Sequence, residues 1–183
     1  MTVVVALLDD SDTLVFGADS SASSDGSLTL RPDAKIFKKN GYTIGFAGSF
    51  RNFQLVQYSM VLRAPPAFFS LDAAQKFMVT VFVPALRDCL SENGAMKLVN
   101  GIETMDGFIL LVGFRSFLFT IEDDFHVAPH DEYAAIGSGC DVALGSLYAS
   151  KEGGMFSAYD AVEVALYAAE HSCTEVRGPM YIV

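Results

Sequence analysis

An α+β fold is predicted by three features of the sequence. Its elements run strands, helices, strands, helices, strand, with no alternating βαβ units. Hairpin signals join the early strands in pairs. Half of the 183 residues are apolar (51%), and two antiparallel sheets stacked between two helical layers, a four-layer αββα sandwich, would bury that many apolar faces. The chain is long enough for one domain with a full core. No linker divides it and no solenoid-period repeat is present, so a single domain over residues 1–183 is expected.

The elements follow in order. Val3 to Leu8, the turn Asp9-Asp10-Ser11-Asp12 and Leu14 to Ala18 read as paired strands. Ser20 to Ser27 reads as a small-polar loop. Ala34 to Lys38 and Tyr42 to Ala47 flank Asn40-Gly41, a hairpin signal because both residues accept positive φ. Arg51 to Leu62 carries Phe53, Val56, Met60 and Val61 at helical spacing and ends before Pro65-Pro66. Leu71 to Leu90 is a second helix, with a kink expected at Pro84. Asn93 to Met105 reads as a polar connection. Phe108 to Phe114 and Ser116 to Ile121 form a strand pair, with weaker strands at His126-Val127 and Ala134 to Ile136. Helices are expected at Cys140 to Ala149 and Ala158 to His171, the latter with Ser157 as N-cap. Met180 to Val183 is a final short strand.

The net charge of −10 argues against nucleic acid, whose phosphates call for Lys/Arg surfaces. The longest apolar runs, such as Phe108 to Gly113, fall far short of the roughly 20 residues a membrane span needs. The apolar start lacks a basic n-region and runs into Asp9-Asp10, so it does not read as a signal peptide. Three scattered cysteines (Cys89, Cys140, Cys173) argue against a disulfide framework, and a cytoplasmic location is expected. His171, Cys173 and Cys140 match no zinc spacing. The aromatic residues Phe68, Phe69, Phe77, Phe82, Phe108, Phe114, Phe117 and Phe119 read as core, or as subunit interface where exposed.

Four short segments can carry chemistry. "FGADSSAS" ends a strand at Asp19, and "RPDAKIF" begins one at Lys35. If their strands neighbour the first, both side chains reach the start of the chain, and a charged Lys there favours deprotonation of a nearby hydroxyl. The pair also reads as an ordinary strand-end ion pair. "IGFAGS" joins a strand to a helix through Gly48, whose N–H could stabilise an oxyanion or simply serve a tight turn. "AIGSGCDVAL" repeats the device at Gly137-Ser138-Gly139 and lacks the Lys of a P-loop. At the start, Thr2 is either the first residue of a strand or, once Met1 is removed, a residue with both a hydroxyl and a free amine.

Taken together, "TVVVALLDDSDTLVFGADS", "AKIF", "IGFAGS" and "AIGSG" resemble the corresponding segments of proteasome β-type subunits and HslV-type peptidases, densest in residues 2–49 and 134–150. Asp19 and Lys35 lie sixteen residues apart, as in that family. The resemblance implies an N-terminal-nucleophile hydrolase fold and a threonine endopeptidase. Thr2 would be the nucleophile, exposed by Met1 removal, with its own amine as proton acceptor. Lys35 would tune it, Asp19 would hold Lys35, Gly48 would serve the oxyanion, and Ser138 would support the amine or a nearby water. Phe46, and with it Ser23, would line the pocket for the residue before the scissile bond.

The same resemblance implies homo-oligomeric rings, two stacked, enclosing a chamber for polypeptide substrates, with a ring-shaped ATPase unfoldase as a candidate partner. No cofactor is required. A structural monovalent cation on the backbone carbonyls of Glu170, Cys173 and Val176 is suggested by the resemblance alone. The C-terminal segment "HSCTEVRGP" departs from the family pattern: Thr174 and Arg177 stand near the places of a supporting Asp and Ser. Two rivals remain open: a small-amide amidohydrolase of the same class, and a non-catalytic ring or scaffold subunit.

Overall fold

The computed structural model describes residues 2–24, 27–68, 70–154 and 156–183; Met1 and Phe69 lie outside them. The chain runs β1 (Val3–Leu8), β2 (Leu14–Ala18), β3 (Ser21–Ser24), β4 (Ser27–Leu30), β5 (Ile36–Lys39) and β6 (Tyr42–Ala47), then α1 (Phe50–Tyr58). Next come α2 (Leu71–Phe77), a π-helical turn (Met78–Phe82) and α3 (Val83–Glu92). The second half holds β7 (Lys97–Val99), β8 (Ile102–Thr104), β9 (Ile109–Phe114), β10 (Phe117–Ile121), β11 (Val127–His130) and β12 (Tyr133–Gly137), then α4 (Cys140–Gly153), α5 (Ala158–Ser172) and β13 (Tyr181–Ile182).

Two antiparallel sheets form the centre. One has the order β12-β1-β2-β13, the other β11-β10-β9-β6-β5. Strand β1 explains the layering. Its residues alternate faces: Val3, Val5 and Leu7 pack with Ala143, Leu147, Val162 and Leu166 of α4 and α5, whereas Val4 and Ala6 pack toward the other sheet with Ile36, Leu111 and Leu118. A strand buried on both faces has no place for a polar residue, hence the unbroken "VVVALL". On the second sheet Tyr42, Ile44, Phe46, Leu110 and Val112 turn outward onto Phe53 and Val56 of α1, Met78 of the π-helical turn and Leu86 of α3. Helices, sheet, sheet, helices: the αββα sandwich expected from the element order.

The local departures have physical causes. The helix from Leu71 does not merely kink at Pro84. The turn before it widens, and the Val83 N–H reaches back to the Met78 carbonyl, because proline offers no N–H and its ring crowds the carbonyl four residues earlier. Helix α1 ends at Tyr58, short of the expected Leu62: the Lys39 ammonium binds the carbonyls of Gln57 and Met60 at 2.7 and 2.9 Å, and the chain leaves the helical path. Ser20 to Ser27 is not a loop throughout but contains half of the hairpin β3–β4, and Asn93 to Met105 contains the hairpin β7–β8. Both are short and paired with no other strand, and Ser21 and Thr104 are their only buried side chains among those described, so their strands lack the buried alternation that announces a strand. Of the aromatic set, Phe82, Phe108, Phe114 and Phe119 are core, and Phe68, Phe77 and Phe117 pack against it.

Candidate active site

One end of the sandwich collects the start of β1, the end of β2, the approaches to β5 and β9 and the ends of β6 and β12. Antiparallel pairing sets Val4 opposite Ala18, which brings Asp19 beside the first strand. The Asp19 N–H donates to the Val3 carbonyl (3.3 Å), and the Val3 N–H donates to Asp19 Oδ1 (3.0 Å). Lys35 comes from elsewhere. It stands one residue before β5, the edge strand of the opposite sheet, paired with β6. The expectation that both strands neighbour β1 therefore holds for Asp19 only. Lys35 reaches across from the facing sheet, where its carbonyl accepts the Phe46 N–H.

Thr2, Asp19 and Lys35 meet in a nearly dry cluster, 5%, 1% and 2% exposed. Lys35 Nζ lies 2.7 Å from Asp19 Oδ1. The same ammonium donates to Thr2 Oγ1, and Thr2 Oγ1 in turn donates to Asp19 Oδ1 at 2.9 Å. Burial pushes the Lys35 ammonium below its ordinary value of 10.5, while the charge and hydrogen bond of Asp19 pull the other way. Asp19 is itself fixed from the far side: Ser21 gives its backbone N–H (3.1 Å) and its hydroxyl to Oδ2. Ser21 escaped the sequence reading. Only the fold shows that its hydroxyl also reaches the Glu175 carbonyl.

The Thr2 backbone is held by the turn after β12. The Gly139 N–H donates to the Thr2 carbonyl at 3.3 Å, and Ser138 Oγ lies 3.4 Å from the same oxygen. Ser138 is thus placed on the carbonyl of Thr2. Gly137 has φ +94°, and a Cβ there would stand 2.2 Å from that carbonyl oxygen. Only glycine permits the approach.

A cleft of about 580 Å³ opens over this cluster. Thr2, Ser23, Phe46, Gly48 and Ser138 line it; Asp19 and Lys35 stand behind Thr2 and do not. Gly48 adopts φ +106°, and a Cβ would come within 2.6 Å of the Gly107 carbonyl oxygen, so the turn leading into α1 lies close against the cleft rim. Arg31 and Phe50, which the sequence did not single out, form one wall. The Arg31 guanidinium makes two 2.7 Å bonds to Asp33 and sits 4.5 Å from the Phe50 ring centroid. Its charge is already matched, so it serves as a rigid wall more than as an open cation.

The three carbonyls considered for a cation also converge. Those of Glu170, Cys173 and Val176 all accept from Arg177 Nη1, at 3.1, 3.0 and 2.6 Å. Among the described residues no group of three His, Cys, Asp or Glu side chains is placed to hold a metal, and no helix is long and apolar enough to cross a membrane.

No protein-family model matches the sequence, and no curated protein matches it. Solved structures do. BPH from Thiobacillus denitrificans superposes with a TM-score of 0.80 at 20% identity, covering 100% of this chain and 96% of its own. The same protein in complex with epoxomicin gives 0.81 at 20% identity, covering 100% and 97%. A eukaryotic HslV from Trypanosoma brucei gives 0.70 at 16% identity, covering 100% and 98%. Buried ion pair, threonine and glycine-walled cleft therefore sit on a chain that has, from end to end, the fold of BPH and HslV.

Proposed function

We propose that this protein is a threonine endopeptidase acting through Thr2 after removal of Met1. The observation that carries the reading is the buried contact of Thr2 Oγ1 with Lys35 Nζ and Asp19 at the floor of a cleft. A threonine hydroxyl is a weak nucleophile and needs a base. The freed α-amine, with an ordinary pKa of ~8, supplies one near neutrality. In the first step the amine takes the hydroxyl proton while Oγ1 attacks the scissile carbonyl. The C–N bond then breaks, the amine returns the proton to the leaving amine, and an ester of Thr2 remains for water to cleave. Lys35 stabilises the developing alkoxide by its charge, Asp19 keeps Lys35 in place, and the Gly48 N–H faces the oxyanion. Ser138 steadies the Thr2 backbone, and Phe46 and Ser23 shape the pocket before the scissile bond.

The working particle is a homo-oligomeric ring, doubled, with its sites facing an inner chamber, an ATPase unfoldase as candidate partner, polypeptide as substrate and no cofactor in the chemistry. Each chain contributes one domain, and the setting is cytoplasmic. The fold it shares with BPH, a protein solved with epoxomicin, supports this reading. Mass spectrometry of the purified chain gives the deciding measurement: loss of Met1 is expected, and a chain that keeps it has no free Thr2 amine. With Met1 gone, Thr2→Ala should abolish hydrolysis of a fluorogenic peptide while leaving the native particle size unchanged. Peptidase activity that survives Thr2→Ala rejects the mechanism.

A further inference from the structure

We infer that Arg177 is a built-in cation: it takes the place of a bound metal ion at the C-terminal end of α5 and, through that turn, positions Asp19. The Glu170 carbonyl belongs to the last turn of α5, at the negative end of the helix dipole, and those of Cys173 and Val176 come from the turn that follows, where the Cys173 carbonyl also accepts the Val176 N–H at 3.3 Å. Such a cluster calls for positive charge. A metal would draw the three oxygens to itself; here Nη1 of Arg177 stands at their focus, 2.6–3.1 Å from each. The residues present do not fit a cation while that guanidinium is in place, and a guanidinium keeps its charge at any pH the fold survives.

The turn is wired to the cluster at Thr2 through the two residues that follow Asp19. The Arg177 carbonyl accepts the Ser20 N–H at 3.0 Å. The Glu175 carbonyl is within reach of the Ser21 hydroxyl, which also serves Asp19 Oδ2. Val176 between them is fully buried against the α4–α5 layer. The Gly178 N–H closes the turn onto Glu170 Oε1 at 2.8 Å. Arg177 does not line the cleft. It is a positioning residue: it sets the turn, the turn sets Ser20 and Ser21, and Ser21 sets the carboxylate that holds Lys35.

The catalytic half of this inference rests on the peptidase reading; the ionic half does not, and the test separates them. The melting temperature and peptide hydrolysis of the full-length wild type, Arg177→Ala and Arg177→Lys are measured in potassium, sodium, magnesium and tetramethylammonium chlorides at matched ionic strength, and in the tetramethylammonium salt with only millimolar guanidinium added, too little to denature. The wild type should melt at one temperature in all of them. Arg177→Ala should melt lower in tetramethylammonium and recover in potassium or in millimolar guanidinium. Its kcat should fall about tenfold with KM unchanged, as expected for small misplacement of a catalytic group, and return with the same ions. Arg177→Lys, which keeps an ammonium within reach, should fall between. A wild type stabilised by potassium over tetramethylammonium overturns the built-in cation, as does an Arg177→Ala protein that melts like wild type or that no cation restores. Recovery of melting without recovery of kcat overturns the positioning role. A wild type without peptidase activity that still shows the melting pattern rejects the peptidase reading and leaves the ionic one standing.

Discussion

At the scale of single residues, the cluster's weakness is its buried charge. Lys35 and Asp19 are each almost fully shielded from water, so removing one strands the other. Lys35→Met should cost about 3–5 kcal/mol of stability, and adding Asp19→Asn should return part of it; urea unfolding of the three proteins measures both. Gly137→Ala should be worse than its size suggests. The new methyl meets the Thr2 carbonyl oxygen, and φ +94° disfavours any side chain, so about 2–5 kcal/mol is expected, read as a lowered melting temperature together with lost hydrolysis. On the proposed peptidase mechanism, the rate of peptide hydrolysis should rise with pH over roughly pH 6 to 9, as the α-amine loses its proton. A flat profile there would point to another base. Thr2, Asp19, Lys35, Gly48 and Ser138 were legible because their order and spacing in the sequence are unusual together, although each segment alone had an ordinary reading. Ser21 and Arg31 were not, since a serine two residues after an aspartate and an arginine two residues before one carry no pattern until the chain folds around them.

At the scale of elements, burial on both faces made β1, β2, β6, β9 and β10 readable, and amphipathic spacing did the same for α1 and α5. The hairpins β3–β4 and β7–β8 were not readable, because a single buried polar side chain in each, Ser21 and Thr104, sets up no period. Strand β11 offers a test of its own. Its last residue, His130, pairs Nε2 with Thr120 Oγ1 at 3.1 Å, and burial pushes its imidazole below 6.5, with Asp131 pulling weakly upward. Above 6.5 neither the folded nor the unfolded chain binds this proton. As pH falls below 6.5 the unfolded chain takes it up first, so stability should decline until the folded state's own titration is passed. His130→Gln should flatten that part of the stability–pH curve; an unchanged curve would mean the imidazole does not resist protonation in the fold.

At the scale of the whole molecule, the outer helices keep Tyr148, Tyr159 and Tyr167 largely exposed. Large apolar side chains left in water are what subunit contacts cover. Native mass spectrometry should therefore find an assembly of many 19.7 kDa chains, and Tyr148→Asp with Tyr167→Asp should shift it to smaller species; a monomeric wild type would count against the ring. What was written in the amino-acid order is the layering, because a strand's period of two and a helix's period of 3.6 are local properties that choose which faces must be buried. What needed the folded chain is the chemistry's surroundings. Lys35 arrives from the opposite sheet, Gly137 yields to the Thr2 carbonyl, and Arg177 donates to the three carbonyls that the resemblance had suggested for a monovalent cation. Each of these depends on distances between residues far apart in sequence, and those exist only once the sheets have packed.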